Sequence, residues 1–250
     1  MSRTYPNRGQ HGRAVHALGV RIVSGEWPAG EPLPTEEALV AELDVGRSAL
    51  REAMKVLAGK GLLETRTRAG TLVRHRESWN LMDPDVLGWQ FERQPSARNL
   101  DDLSQLRLVL EPAAARMAAV HADEAAVKEI ANAFADMESS VGDPEAFIVA
   151  DLAFHAAIFA ATGNELLVHL NEMMAVAMSA HRHVHTDNPR TYRRTLPDHD
   201  RVLDAIRRHH AAKAETLMRV LVEQARKDVL NAAKRVAGAN GPAVRRKRGS

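Results

Sequence analysis

The chain has 250 residues, 45% of them hydrophobic and 26% charged, the balance of a soluble globular protein of one or two domains. It holds no cysteine, which excludes disulfides, thiolate metal sites and cysteine nucleophiles. No apolar run approaches the roughly 18 residues of a membrane span, no signal-peptide h-region is present, and a cytoplasmic protein with no membrane partner is expected.

Aromatic residues are only 4%, so the core must come from Leu, Val, Ala, Met and Ile, which favours packed helices over sheets. The net charge of +2 is modest but unevenly placed: residues 44–76 hold eight bases against three acids. From Lys234 onward there are six more bases and no acid. That final stretch has no apolar face, and a disordered basic tail is expected over 237–250. It reads as a solvated end, with loose phosphate contact as the alternative.

In chain order, Val15, Leu18 and Ile22 mark one face of a first helix that stops near Gly25. Leu33-Pro34-Thr35-Glu36-Glu37 starts a second, with Thr35 as N-cap and two acids in the positive first turn. Its apolar face is Leu39, Val40 and Leu43. Asp44-Val45-Gly46 is a tight break, and a third helix is predicted from Arg47 to about Lys60. On it an apolar stripe (Leu50, Met54, Leu57) and a basic stripe (Arg47, Arg51, Lys55) lie roughly 90° apart, so one packs while the other stays free. Two short runs, Leu62 to Arg66 and Thr71 to Arg74, joined through Arg68-Ala69-Gly70, predict a β-hairpin.

Helix, helix, tight turn, basic helix and basic hairpin is the order of a winged helix-turn-helix over residues 8–76. In that arrangement the third helix enters the DNA major groove and its N-terminal side chains meet base edges. Arg47 and Arg51 suit bidentate contact with guanine, and Ser48 suits a base or a phosphate. Lys55 suits the backbone, and Gly70 lets the wing approach the duplex with Arg68. The bland alternative for the basic stripe alone is a solvated helix face. The segment resembles the DNA-binding domain of the GntR family, whose pattern is LP-S/T-E-x-x-L, a turn, S-R-x-x-x-R-E-A-L, G-L and a G-T-F-V wing. Leu33-Pro34-Thr35-Glu36, Arg47-Ser48-Ala49-Leu50-Arg51-Glu52-Ala53-Met54, Gly61-Leu62-Leu63 and Gly70-Thr71-Leu72-Val73 carry the likeness. Two departures stand out: Asp44 where the family has Gly, and Gly46 where it has a Ser cap.

Residues 77–99 read as a linker with some order of its own. From Leu100 to about residue 236 the pattern is helical, predicting six or seven helices in an all-α antiparallel bundle. Leu103, Leu106, Leu110 and Ala113 mark the first stripe; Phe147, Leu152, Phe154 and Ile158 mark a later one. Val202, Leu203 and Ile206, then Leu217, Leu221 and Val222, mark two more. Gly142-Asp143-Pro144, Gly163-Asn164 and Asn188-Pro189 punctuate them.

Asp151 and His155 are spaced i,i+4, and His199 precedes another apolar run. Spacing alone leaves two readings open, a structural hydrogen bond and a site for zinc, nickel or manganese. Arg107 is likewise either an ion-pair partner of a local acid or a partner for a carboxylate ligand. His181, His183 and His185 read as surface, because i,i+2 spacing spreads the rings around a helix.

Residues 100–236 resemble the FCD domain of the FadR-type branch of the same family, an effector-binding and dimerisation domain. The resemblance implies a divalent metal on Asp151, His155 and His199, a small carboxylate effector, and Arg107 pointing toward it. The fourth ligand of the family is a His; here that position is Leu221. The segment Trp79-Asn80-Leu81-Met82-Asp83-Pro84-Asp85-Val86-Leu87-Gly88-Trp89 further resembles the linker of a subgroup, the galactonate-operon repressors, which respond to sugar acids.

Together these imply a homodimeric repressor on a palindromic operator of double-stranded DNA, released by a small carboxylate such as a galactonate-like sugar acid. Lactate-like or amino-acid carboxylates, or activation instead of repression, are the alternatives. A metal-dependent hydrolase on Asp151, His155 and His199 is the reading from another class. It lacks HExxH, G-x-S-x-G and P-loop motifs and leaves the basic module unexplained, so no enzyme is expected.

Overall fold

The computed structural model describes residues 9–67, 70–92, 95–185 and 189–239, leaving out the side chains of 176, 180–185, 189–192 and 236–239. Two compact units divide the chain. One comprises the first 95 residues with His169–Ala180, the other Ser96–Val168 with the chain from His181.

In the first unit, α1 (Gly9–Val23), α2 (Glu36–Leu43) and α3 (Arg47–Gly59) precede a hairpin of β1 (Leu63–Arg66) and β2 (Gly70–Val73). A single 3-10 turn (Arg76–Ser78) leads to α4 (Pro84–Glu92). Val15, Leu18 and Ile22 of α1 pack with Leu39, Leu50, Leu57, Leu62 and Val73 in one core, as their periodicity predicts. Val40, Leu43 and Met54 only border it. Thr35 caps α2 by accepting the Ala38 N–H at 3.3 Å. Asp44 ends α2 at φ 51°, a left-handed conformation that explains why glycine suits this turn and that aspartate tolerates better than most residues.

The strands pair antiparallel with Leu63 opposite Val73 and Arg66 opposite Gly70, one residue later in β1 and one earlier in β2 than predicted. Residues 30–33 also pair with β2, through Leu33 N–H to Thr71 O at 2.9 Å and Val73 N–H to Glu31 O at 3.0 Å. In the linker, α4 lies on α1: the Trp89 ring is so close to Gly19 that a Cβ there would stand 2.4 Å from it.

In the second unit are α5 (Ala97–His121), α6 (Glu124–Ser139), α7 (Pro144–Ala160), α9 (Pro189–Arg207) and α10 (Ala211–Ala239); α8 (Glu165–His185) is divided between the units. Ser96, Asp123 and Asp143 cap α5, α6 and α7 through their side-chain oxygens, at 3.0, 2.8 and 3.1 Å. Helix α5 packs on α10, α6 on α7 and α9 on α10. Ala114, Ala118, Phe154, Ile158, Val202, Ile206 and Val222 share their core.

One predicted stripe is displaced. On α5 the buried face is Leu100, Leu103, Ser104, Arg107, Glu111, Ala114, Ala115 and Ala118, whereas Leu106 and Leu110 are half-buried and Ala113 is exposed. The face was hidden because its centre carries charge. The chain is mainly α, a winged helix-turn-helix followed by an all-α domain. Helix α10 runs through Ala239, and the expected basic tail lies outside the described residues from 240 onward.

Candidate functional site

On α3 the two stripes separate as expected. Leu50, Ala53 and Leu57 are buried, while the side chains of Arg47, Arg51 and Lys55 are 69%, 64% and 73% exposed, and Ser48 is exposed. Each base has an acidic neighbour: Glu37 lies 3.6 Å from Arg47, Glu36 lies 3.0 Å from Arg51, and Glu52 lies 2.7 Å from Lys55. Exposed pairs of this kind are worth about 0–1 kcal/mol, so phosphates or base edges can replace the acids at little cost.

Gly46 starts α3 without a side-chain cap, and its own N–H donates instead to Gln10 Oε1 at 3.1 Å. Gly70 is exposed at φ 79°, with open space around it, so the left-handed backbone and not crowding favours glycine at the wing. Arg68 lies outside the described residues.

Behind α3, Lys60 joins the linker. Its ammonium is 2.8 Å from Asp83 and 2.7 Å from Asp85, and it sits 5.9 Å from the Trp89 ring centre. Burial disfavours the charged lysine, but hydrogen bonds to Asp83 and Asp85 outweigh it and raise the pKa above its ordinary 10.5. Sequence reading missed this triad, because 23 residues separate Lys60 from Asp83 and neither carries a motif by itself.

In the second unit the structure brings together all four residues that the sequence singled out. Helix α7 positions Asp151 and His155 one turn apart, α9 supplies His199, and α5 supplies Arg107. All four are buried. Asp151 Oδ1 is 3.1 Å from His199 Nε2 and 3.8 Å from His155 Nε2. One ligand atom from each of Asp151, His155 and His199 lies within 4.8 Å of the others.

The other nitrogen of each ring faces an oxygen. His199 Nδ1 is 2.8 Å from the Thr195 carbonyl, and His155 Nδ1 is 2.9 Å from Glu111 Oε2. A neutral ring with its Nδ1–H turned to such an oxygen has its Nε2 lone pair free for a cation, the form in which a histidine ligates a metal. The residues therefore fit a divalent cation. Leu221 is buried in the apolar core and offers no ligand atom. The side chains of His181, His183 and His185 lie outside the described residues.

The fifth member is Glu111, which sequence reading left without a role. It is 1% exposed, and its Oε1 accepts from Arg107 Nε at 2.6 Å. Burial disfavours its carboxylate, but Arg107 and His155 overcome that and hold its pKa well below the ordinary range. The R-x-x-x-E spacing was the available signal, yet the same spacing is common on exposed helix faces. Arg107 therefore does pair with a local acid, and its guanidinium is not exhausted by it. Arg107 Nη1 is buried with no hydrogen-bond partner among the described residues. Prolines lie inside two of the three helices that build the cluster, Pro112 next to Glu111 on α5 and Pro197 close to His199 on α9. Each removes one helical N–H.

Comparison with known proteins agrees with both units. Residues 10–73 match the model for bacterial regulatory proteins of the gntR family, and residues 102–224 match the FCD domain. The chain is 32% identical over 204 residues to the galactonate operon transcriptional repressor of Escherichia coli K12, covering 81% of this chain and 89% of that one. It is 30% identical over 202 residues to the HTH-type transcriptional regulator LutR of Bacillus subtilis, covering 79% and 90%. A solved structure of Lar, which controls the Listeria monocytogenes agr system, shares the fold at a TM-score of 0.63 and 17% identity, covering 92% and 98%. With both halves matched and 32% identity over 81% of its length, the chain belongs to the GntR family of bacterial transcription regulators, in the branch that carries an FCD domain.

Proposed function

We propose that this regulator is a homodimeric repressor released from a palindromic operator by a small monocarboxylate of the sugar-acid class. A GntR-family regulator is a DNA-binding protein and not an enzyme, and it works in the cytoplasm beside the genome. In this reading Arg47, Ser48 and Arg51 meet base edges from the N-terminal half of α3. Gly70 and Arg68 carry the wing to the backbone.

In the second unit Asp151, His155 and His199 hold a divalent metal, zinc, nickel or manganese. Bound there, the metal supplies positive charge for carboxylate and hydroxyl oxygens. Three protein ligands leave further positions open to the effector. Arg107 binds the effector carboxylate on the end of the guanidinium that Glu111 does not use. The observation that carries the reading is that buried Arg107 Nη1, which has no hydrogen-bond partner among the described residues. The likeness to the galactonate operon repressor supports the sugar-acid class.

Release requires the effector to bind the DNA-incompetent state better than the DNA-bound state. Fluorescence anisotropy with labelled upstream DNA, in the presence of Zn²⁺ and increasing D-galactonate, tests this. Galactonate is expected to dissociate the complex. An operator complex indifferent to every aldonate tried sinks the effector assignment while leaving the DNA-reading module untouched.

A further inference from the structure

Two buried carboxylates, not one, stand in the Arg107 cluster, and they are used differently. Asp151 faces both imidazole Nε2 atoms. Glu111 divides its oxygens between two other groups: Oε1 on Arg107 Nε at 2.6 Å, and Oε2 against His155 Nδ1 at 2.9 Å, with Arg107 Nη2 at 3.4 Å.

A guanidinium offers a carboxylate two edges, the Nε–Nη2 side and the Nη1–Nη2 end. Glu111 occupies the side. The end finishes in Nη1, which is buried and has no hydrogen-bond partner among the described residues. Arg107 is 2% exposed and Glu111 1%, so water screens neither charge. In so dry a place the charge count decides what can enter, because an unbalanced ion is costly.

We propose that Glu111 sets the charge of the effector, by neutralising Arg107 inside the protein so that the metal-loaded cluster accepts one carboxylate and discriminates against two. The count is short. Glu111 cancels Arg107, Asp151 cancels one of the two charges of a divalent metal, and the histidines are neutral as ligands. A single positive charge remains, which one monocarboxylate completes. A dicarboxylate on the same carbon skeleton brings one negative charge too many. Without metal the same groups sum to a negative charge and repel any anion. The proposal rests on the effector reading above and deepens it from a chemical class to a charge rule.

Calorimetric titration of the full-length Zn²⁺-loaded protein with D-galactonate and with galactarate tests it. The two probes share a carbon chain, and galactarate has a carboxylate in place of the terminal hydroxymethyl group. Galactonate is expected to bind about tenfold tighter or more, because like-charge juxtaposition in a desolvated site is expensive. Glu111→Gln keeps the shape and removes the charge, and is expected to erase or invert that ratio when both proteins are titrated at a zinc concentration that fills the site, since the lost contact to His155 also weakens metal affinity. Chelation of the metal is expected to abolish galactonate binding.

An unchanged ratio in folded Glu111→Gln overturns the proposal, as does galactarate binding equal to galactonate in the wild type. The wild-type ratio decides the matter alone if the variant does not fold. If neither sugar acid binds, the sugar-acid reading fails, and L-lactate against L-malate becomes the deciding pair under the same charge rule. Preference for malate, or no binding of either pair, overturns the proposal.

Discussion

Arg51 and Arg107 are both arginines paired with glutamates, and the two pairs behave as different chemistry. Arg51 reaches Glu36 at 3.0 Å with its side chain 64% exposed; Arg107 reaches Glu111 at 2.6 Å at 2% exposed. Water screens the first pair and makes its partner replaceable, which is what a group that must exchange an acid for DNA requires. Nothing screens the second pair, so each charge depends on the other for its place in the interior. The lesson is that burial, not the pairing itself, separates an arginine whose acidic partner is replaceable from one whose charge depends on its partner.

The comparison breaks most readily at Arg107. Arg107→Ala leaves Glu111 buried and uncompensated, and is expected to destabilise the second unit by about 3–5 kcal/mol in urea unfolding. Replacing both partners by apolar residues of similar size, Arg107→Met with Glu111→Leu, should recover most of that loss while abolishing effector response. A single-variant loss below about 1 kcal/mol means that the pair is effectively solvated, and the contrast with Arg51 disappears.

Lys60 is an intermediate case that sharpens it. Its side chain is 13% exposed, against 18% for Asp83 and 7% for Asp85. Lys60→Met is expected to cost about 1–3 kcal/mol, less than the fully buried pair, because the stranded aspartates keep some access to water. Its pKa is raised in the folded state, so the contribution is complete below the unfolded value of about 10.5 and is lost as pH rises through the folded one. Stability of wild type and Lys60→Met should therefore converge in alkaline solution. A gap that stays constant from pH 8 to pH 12 excludes the ammonium as its source.

How legible each region was in the sequence follows the same division. Helices α1 to α3, the Thr35 cap and the free basic stripe on α3 were readable, because exposed charge beside buried Leu50 and Leu57 is what periodicity detects, whereas α4 was read only as part of a linker. The pairing of residues 30–33 with β2 was not readable, since Gly30-Glu31-Pro32-Leu33 has no strand pattern and joins β2 through backbone bonds. In the second unit Asp151, His155 and His199 came from spacing and family likeness together. The α5 face was misread because hydropathy counts Arg107 and Glu111 as solvent-seeking, when their mutual pairing is what lets them in. Lys60 with Asp83 and Asp85 was invisible, for an ion pair across a linker leaves no periodic trace.

The smallest effect on stability should come from Arg51, and it is the most informative about function. Arg51→Ala removes a pair that water already screens, so unfolding should change by no more than about 0.5 kcal/mol. Operator binding should nevertheless weaken by about 1–3 kcal/mol, with discrimination relaxed at one base position, if the guanidinium exchanges Glu36 for a guanine edge. Lys55→Ala is the internal control. Further along α3 it should weaken operator and unrelated DNA alike, reducing the salt dependence by about one phosphate contact. Equal losses on specific and unrelated DNA for both variants would assign both bases to the backbone and move the reading of sequence away from this face of α3. A loss confined to the operator for Arg51 alone would show that an arginine indifferent to folding is the one on which recognition depends, the inverse of Arg107.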